Sequence, residues 1–190
     1  MKKIIYILVL FAIIVIQSFS GELPMNNLEN TMNDVTRKAV RETENNIPSL
    51  ELIGIGGSIK DNIIKHKDLI FNHKGKLNVD SSVLLIVRIV DIYLKNIHSE
   101  KRMLNYLVNH PFTYKNLRIT IIIQGEEGEE VYHPDLAFIN LVEGEIIYES
   151  VKKCQNEIYK VETINEEPYE DAVKRLGTWK NQPEETSENS

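Results

Sequence analysis

Five histidines are the side chains in this sequence best able to bind a metal ion or to transfer a proton. They are His66, His73, His98, His110 and His133. No two of them have the i,i+4 spacing that places two ligands on one helical face, and H-E-x-x-H is absent. His66 and His73 are an odd number of residues apart, so a strand would place them on opposite faces. We therefore predict no metal site and no cofactor.

The candidate nucleophiles do not form a recognised catalytic pattern either. Cys154 is the single cysteine, so no intrachain disulfide can form. A reactive thiolate needs an electropositive surrounding, whereas this chain is acidic. Gly57-Ser58 lacks the G-x-S-x-G pattern of a nucleophile elbow. The GIGG string at 54–57 lacks the spacing of a dinucleotide-binding loop, and glycine within a strand more often marks a bulge or a close backbone contact. We predict no catalytic and no cofactor-binding residues.

Charge is strongly segregated along the chain. Residues 119–151 contain no lysine or arginine but eight acids, whereas residues 60–76 contain five lysines and two histidines against Asp61 and Asp68. A bipolar charge distribution can steer a complementary partner. The GEEGEE segment at 125–130 predicts a solvated turn, because it lacks the alternating Asp and Asn of a calcium loop. The predicted partner contacts are Glu126, Glu127, Glu129, Glu130 and Asp135.

The overall charge narrows the class of partner. The net charge is −6, which argues against nucleic acid, since nucleic-acid-binding domains are usually basic. The two oppositely charged segments could instead balance each other inside the fold or across a homodimer. We predict a protein partner, and a homodimer remains a second option.

The N-terminus has the layout of a secretory signal peptide. Lys2 and Lys3 precede the apolar run 4–16, and small residues at 18 and 20 fit cleavage before Gly21. Loss of residues 1–20 would take the net charge to −8. Thirteen apolar residues are few for a membrane span, although an uncleaved anchor is the alternative. We predict an exported protein, periplasmic or secreted, without a stable membrane span after cleavage.

The elements that must position these side chains are organised around the segment Ser81–Ile97. It is apolar over most of its helical circumference, which is typical of a buried core helix. Arg88, Asp91 and Lys95 form a narrow polar stripe in which Asp91 can pair with both basic neighbours. Three charges argue against a membrane span. Asp80 or Ser81 is expected to cap the N-terminus of this helix.

The remaining segments predict one α+β domain. Its expected form is a mostly antiparallel sheet of about six strands, packed on the long central apolar helix and an N-terminal amphipathic helix. Strands are expected at 50–59, 63–74, 117–124, 136–142, 145–151 and 158–164, and further helices at 26–46, 100–108 and 168–176. The predicted organisation is a signal peptide at 1–20, the amphipathic helix segment at 21–48, the domain at 49–177 and a disordered acidic tail at 178–190.

The segment Asn109–Ile121 is similar to a group of uncharacterised small exported proteins from chlamydia-related and other intracellular bacteria. The similarity lies in the PFT-x-x-NL stretch formed by Pro111, Phe112, Thr113, Asn116 and Leu117. By pattern it covers about residues 30–175. The resemblance implies an exported protein and no particular chemistry.

Together these features predict an exported, non-catalytic binding protein that uses an acidic face at residues 126–149. The alternative is an exported hydrolase in which His110, His133 and an acid meet through the tertiary fold.

Overall fold

The computed structural model describes residues 25–154 and 159–180; the predicted signal peptide lies outside these ranges. The helices are α1 (Met25–Asn46), α2 (Val79–Ser99) and α3 (Tyr169–Lys180). The strands are β1 (Leu50–Lys60), β2 (Ile63–Lys74), β3 (Leu117–Gln124), β4 (Phe138–Val142), β5 (Glu145–Lys153) and β6 (Tyr159–Pro168). Two 3-10 helices cover Lys101–Tyr106 and Tyr114–Asn116.

The six strands form one sheet in the order β1-β2-β3-β4-β5-β6. All neighbours are antiparallel except β2 and β3, which are parallel. A parallel pair requires a crossover connection, and α2 supplies it. The predicted α+β fold with a mostly antiparallel six-stranded sheet is therefore confirmed.

Two hairpins owe their tight loops to residues that adopt positive φ. Asp61 and Asn62 join β1 to β2 with φ of 52° and 58°, and Glu143 and Gly144 join β4 to β5 with φ of 53° and 93°. Two-residue loops with positive φ at both positions match the right-handed twist of the strands that they connect. These loops fix the register of both hairpins.

The core lies on one face of the sheet. Side chains at alternate positions of β3 point into it and are buried, as the period of a strand requires. All three helices contribute buried apolar residues to the same core. The other face of the sheet carries partly exposed apolar side chains, among them Ile70, Ile122 and Phe138. We call the first the helix face and the second the open face.

The N-terminal cap of α2 differs from the predicted one. The helix begins two residues earlier than Ser81, and its cap is Asn78 rather than Asp80 or Ser81. Asn78 Oδ1 accepts a hydrogen bond from Ser81 N at 2.8 Å, and Ser81 Oγ accepts one from Asn78 N at 3.0 Å. This reciprocal capping box satisfies two backbone donors at once, which favours Asn78 over a single cap at Asp80.

Helix α1 packs on the side of α2 that the sheet leaves uncovered. The hydroxyls of Thr36 and Tyr93 are hydrogen-bonded at 3.1 Å within this interface. Lys95 pairs with Glu42 of α1 at 2.8 Å, and Asn96 donates to the same carboxylate at 2.9 Å. The expectation that Lys95 pairs with Asp91 is therefore wrong, because the tertiary partner lies closer than the neighbour on the same helix.

The ends of the described chain refine the predicted boundaries. Helix α3 continues past Gly177 to Lys180, so it is longer than the expected helix at 168–176. The predicted helix at 100–108 is a 3-10 helix, and β6 extends four residues beyond the expected end at 164. The remainder of the predicted tail, 181–190, lies outside the described residues. Within the ranges described, no helix combines the length and the apolar character needed to cross a membrane.

Candidate functional site

The histidines do not gather into a site. His73 is buried on the helix face with its Nδ1 3.0 Å from the carbonyl oxygen of Gly75, and burial lowers the pKa of its imidazole. His66 lies on the open face, where its Nε2 is 3.6 Å from Asp68 Oδ1. His66 and His73 therefore lie on opposite faces of the sheet, as expected. Across residues 25–154 and 159–180, no group of three or more His, Cys, Asp or Glu side chains could hold a metal ion.

His110 and His133 lie at opposite ends of β3. His110 follows the segment that hydrogen-bonds Ile64, near the start of β3, whereas His133 N donates to Val151 O beyond its far end. His133 Nδ1 is 3.3 Å from Ser150 Oγ, but Ser150 is completely buried and its hydroxyl cannot reach a substrate. The cluster of His110, His133 and an acid that a hydrolase would need is therefore not assembled among the described residues.

Cys154 is exposed at the end of β5. Its Sγ has a weak contact with the carbonyl oxygen of Lys152 at 3.9 Å. Among the described residues, no histidine contacts the thiol, so the pairing that would activate it as a nucleophile is not formed.

The acidic turn, residues 125–130, is tightly built. Gln124 and Glu130 form an antiparallel bridge, and Gly125 N donates to Glu129 O at 2.9 Å across the turn. Gly128 has φ of 88°, a conformation that glycine adopts without strain. This turn holds its carboxylates at the C-terminal end of β3 rather than on a long loose loop.

The five predicted contact residues have different surroundings. Asp135 forms an ion pair with Lys76 at 2.7 Å, and Glu129 Oε2 accepts from Glu127 N at 3.1 Å inside the turn. Glu130 accepts a hydrogen bond from the hydroxyl of Tyr132. Glu126 and Glu127 are exposed, and their carboxylates have no ion pair among the described residues. The exposed negative charge that a partner could meet is thus concentrated on Glu126 and Glu127.

A cleft of about 280 Å³ lies beside this turn on the open face. Its floor consists of apolar side chains that are neighbours across β3, β4 and β5: Ile122, Phe138 and Val151. Tyr132 and Tyr159 form one wall, with ring centroids 5.7 Å apart and planes inclined by 21°, and Glu130 stands at the rim. We call this arrangement the tyrosine groove.

The Tyr132 hydroxyl and the Tyr159 ring already have partners within the protein. The hydrogen bond to Glu130 raises the pKa of the Tyr132 hydroxyl, so the phenol stays neutral at physiological pH. Lys153 Nζ lies 5.8 Å from the centroid of the Tyr159 ring, within the range of a cation–π contact. Tyr159 is nevertheless 48% exposed. The groove therefore offers apolar area, aromatic faces and a carboxylate, groups that can bind a partner.

The aromatic wall of this groove was missed in the sequence. Tyr132 lies in the connection after the acidic turn, and Tyr159 opens β6. They meet because β5 pairs with β6, with Lys153 opposite Tyr159 and Val151 opposite Val161. The alternation in the segment from residue 158 predicted the strand, but only the register of that pairing places its first tyrosine beside Tyr132.

Comparisons with known proteins add no family: no family model, no curated protein and no solved structure matches the chain.

Proposed function

We propose that this protein is an exported, non-catalytic binding protein whose tyrosine groove takes a partner segment with a basic side chain next to an apolar one. The observation that carries the proposal is the position of the groove immediately beside the acidic turn. An apolar side chain of the partner would cover Ile122 and Phe138, and its basic group would lie against the tyrosine rings and the carboxylates of the turn.

The charges support a basic partner over an acidic one. Glu126 and Glu127 are exposed in the same turn as Glu130, which lines the groove. Charge complementarity of this kind mainly accelerates association and selects among partners. Burial of aromatic side chains against the partner supplies the larger share of affinity, because hot spots are rich in tyrosine.

A titration with a matched pair of peptides tests the proposal. The ¹⁵N-labelled chain from residue 21 onward is titrated with a short peptide of alternating lysine and leucine, and separately with the same peptide carrying glutamate in place of lysine. We expect saturable shifts of the amides of Tyr132, Phe138 and Tyr159 with the basic peptide only. Equal shifts with both peptides, or shifts centred on the helices, would contradict the proposal.

Two variants distinguish binding in the groove from attraction by the overall negative charge of the protein. Glu127→Gln removes an exposed carboxylate beside the groove, whereas Glu143→Gln removes one that lies 3.6 Å from Arg118 in the β4–β5 loop. We expect Glu127→Gln to weaken binding of the basic peptide and Glu143→Gln to leave it unchanged. Similar losses in both variants would show that net charge, rather than the groove, attracts the peptide.

Export is the second part of the proposal. The basic, apolar and small-residue segments of positions 1–21 support it. Expression of the full chain in a bacterial host, followed by fractionation and N-terminal mass spectrometry, should give a product beginning at Gly21 outside the cytoplasm. A full-length product retained with the cytoplasmic fraction would contradict export.

A further inference from the structure

A second cavity, which no part of the proposed function uses, lies between α1 and the β1–β2 hairpin. Its volume is about 280 Å³, and its walls come from the N-terminal half of α1, from β1 and from β2. The side chain of Lys67 lines it on the helix face, at the same strand parity as the core residues Leu69 and Phe71. Lys67 is only 7% exposed. We call this space the lysine cavity.

The charge of Lys67 has no partner of its own. Among the described residues, its ammonium has neither a hydrogen bond nor a carboxylate oxygen within 4.0 Å. Burial lowers the pKa of this amine, and the more distant carboxylates of Asp68 and Glu29 only partly oppose that effect. The amine nitrogen is not one of the described polar atoms that are both fully buried and unpaired, so it keeps contact with solvent. An anion that enters the cavity would therefore meet an amine that no described protein group already pairs.

Glycine keeps the cavity open opposite Lys67. Gly57 pairs with Lys67 across the hairpin and has φ of +150°. A Cβ at this position would lie 2.8 Å from the carbonyl oxygen of His66 and 3.4 Å from Lys67 Cδ. The glycine therefore leaves room for the aliphatic part of the Lys67 side chain, which is one of the residues that line the cavity.

The other walls indicate the kind of anion. Met32, Ile55 and Ile59 give the cavity an apolar side, and Ile55 and Ile59 are 46% and 40% exposed. Of the charged groups, Lys67 contributes one positive charge and Glu29 one negative charge, a balance that disfavours a dianion such as phosphate. A volume near 280 Å³ is at the small end of ligand sites.

We infer that the lysine cavity binds a small organic monocarboxylate, whose carboxylate pairs with Lys67 and whose apolar body packs on Met32, Ile55 and Ile59. The site lies on the helix face at the β1–β2 end of the sheet, whereas the tyrosine groove lies on the open face near β6. Binding at one is therefore measured independently of the other.

Three small probes test this inference on the chain from residue 21 onward. Methyl signals of methionine and isoleucine are followed by NMR during titration with sodium isovalerate, with 3-methylbutan-1-ol, which has the same carbon skeleton without a charge, and with inorganic phosphate at matched ionic strength. We expect isovalerate to shift the signals of Met32, Ile55 and Ile59 saturably, and the alcohol to bind at least about tenfold more weakly, the factor that one lost ion pair commonly removes.

A matched pair of variants assigns the effect to the buried amine. Lys67→Met keeps the length of the side chain and should abolish the isovalerate shifts, whereas Lys65→Met, at an exposed position on the same strand, should leave them intact. Retention of the shifts in Lys67→Met would overturn the inference. Phosphate binding as tightly as isovalerate, or no saturable shift with any probe, would overturn it as well.

Discussion

The tyrosine groove and the lysine cavity have similar volumes but opposite electrostatic states. In the groove, the hydroxyl of Tyr132 donates to Glu130, and Lys153 lies against the ring of Tyr159. In the lysine cavity, the ammonium of Lys67 has no ion pair within 4.0 Å among the described residues. The first surface pairs its Tyr132 hydroxyl within the protein, whereas the second presents an amine that keeps contact with solvent and that no described protein group pairs.

The two sites therefore represent two kinds of binding site, one with its polar groups paired in the free protein and one with an amine that a ligand could pair. A surface whose polar groups are already hydrogen-bonded is preorganised. Its ligand gains affinity mainly from the apolar area that it buries and from charge complementarity. A cavity whose amine is in contact only with solvent can gain an ion pair from a ligand of opposite charge. Substitution of the glycine packed against Lys67 should change stability, whereas substitutions in the groove should change affinity and leave stability nearly unchanged.

The largest effect on stability is expected from Gly57→Ala. A Cβ here meets the backbone oxygen of His66 at 2.8 Å and must also adopt a φ that is unfavourable for alanine. We expect a loss of roughly 2–3 kcal/mol in the free energy of unfolding, measured by urea denaturation.

Gly75→Ala is the control for Gly57→Ala. Gly75 also has positive φ, at +97°, but an added Cβ meets nothing within 4 Å. Its cost should be limited to backbone strain, roughly 1–2 kcal/mol. If the two variants lose the same stability, the close packing of Lys67 and His66 around Gly57 contributes nothing.

The next largest effect is an increase in the free energy of unfolding. Lys67→Met removes a charge whose pKa burial lowers and keeps most of the packing of the side chain, so it should stabilise the free protein only slightly, by less than about 1 kcal/mol at pH 7. The same change at the exposed Lys65 should leave stability near that of the wild type. A destabilised Lys67→Met protein would show that the ammonium is satisfied in the free state and that the two cavities do not differ as described.

The pH dependence of this stabilisation has a definite sign. Burial places the folded-state pKa of Lys67 below 10.5, although Asp68 and Glu29 oppose the shift. The unfolded chain therefore holds this proton more tightly, and the wild type gains stability as pH rises from the folded-state pKa to 10.5. The advantage of Lys67→Met should shrink over that window in parallel denaturation curves. An advantage that grows with pH would contradict the assigned shift.

The two sites also differ in how far the sequence could predict them. The carboxylates of 126–130 are contiguous, so their clustering is visible without a fold. Lys67 shares the parity of Leu69, Phe71 and His73, but from the sequence it was considered only as one of the five lysines of the basic segment 60–76. The decisive information was tertiary: Gly57 lies opposite Lys67, and α1 closes the space above it.

The fold itself was more accessible to sequence reasoning than either site. Strand and helix periods in β1, β2, β3 and α1 correctly located these elements, because each buries one face. The capping of α2 by Asn78 and the pairing of Lys95 with Glu42 were missed. Both depend on the competition among several nearby polar groups, which spacing along one helix cannot decide.

In the groove, the expected effect is on affinity. Tyr132→Ala removes half of the aromatic wall and should weaken binding of the lysine–leucine peptide by at least about tenfold, since truncation of a central tyrosine typically costs that much. The free energy of unfolding should stay within roughly 0.5 kcal/mol of the wild type, because this residue lies outside the buried core. Large destabilisation would mean that Tyr132 holds the fold rather than a partner.

The smallest effect is expected from Asp135→Asn. Asp135 was predicted as a partner contact, but its carboxylate pairs with Lys76 at 2.7 Å, and the lysine side chain is 71% exposed. Exposed ion pairs contribute little to stability, because water and salt screen them. We therefore expect both stability and peptide binding to remain at wild-type values, whereas Glu127→Gln weakens binding. If Asp135→Asn weakens binding of the basic peptide as much as Glu127→Gln does, the contact surface extends from the acidic turn to Lys76. The partner would then be recognised by the whole acidic face, and the tyrosine groove would be only one part of it.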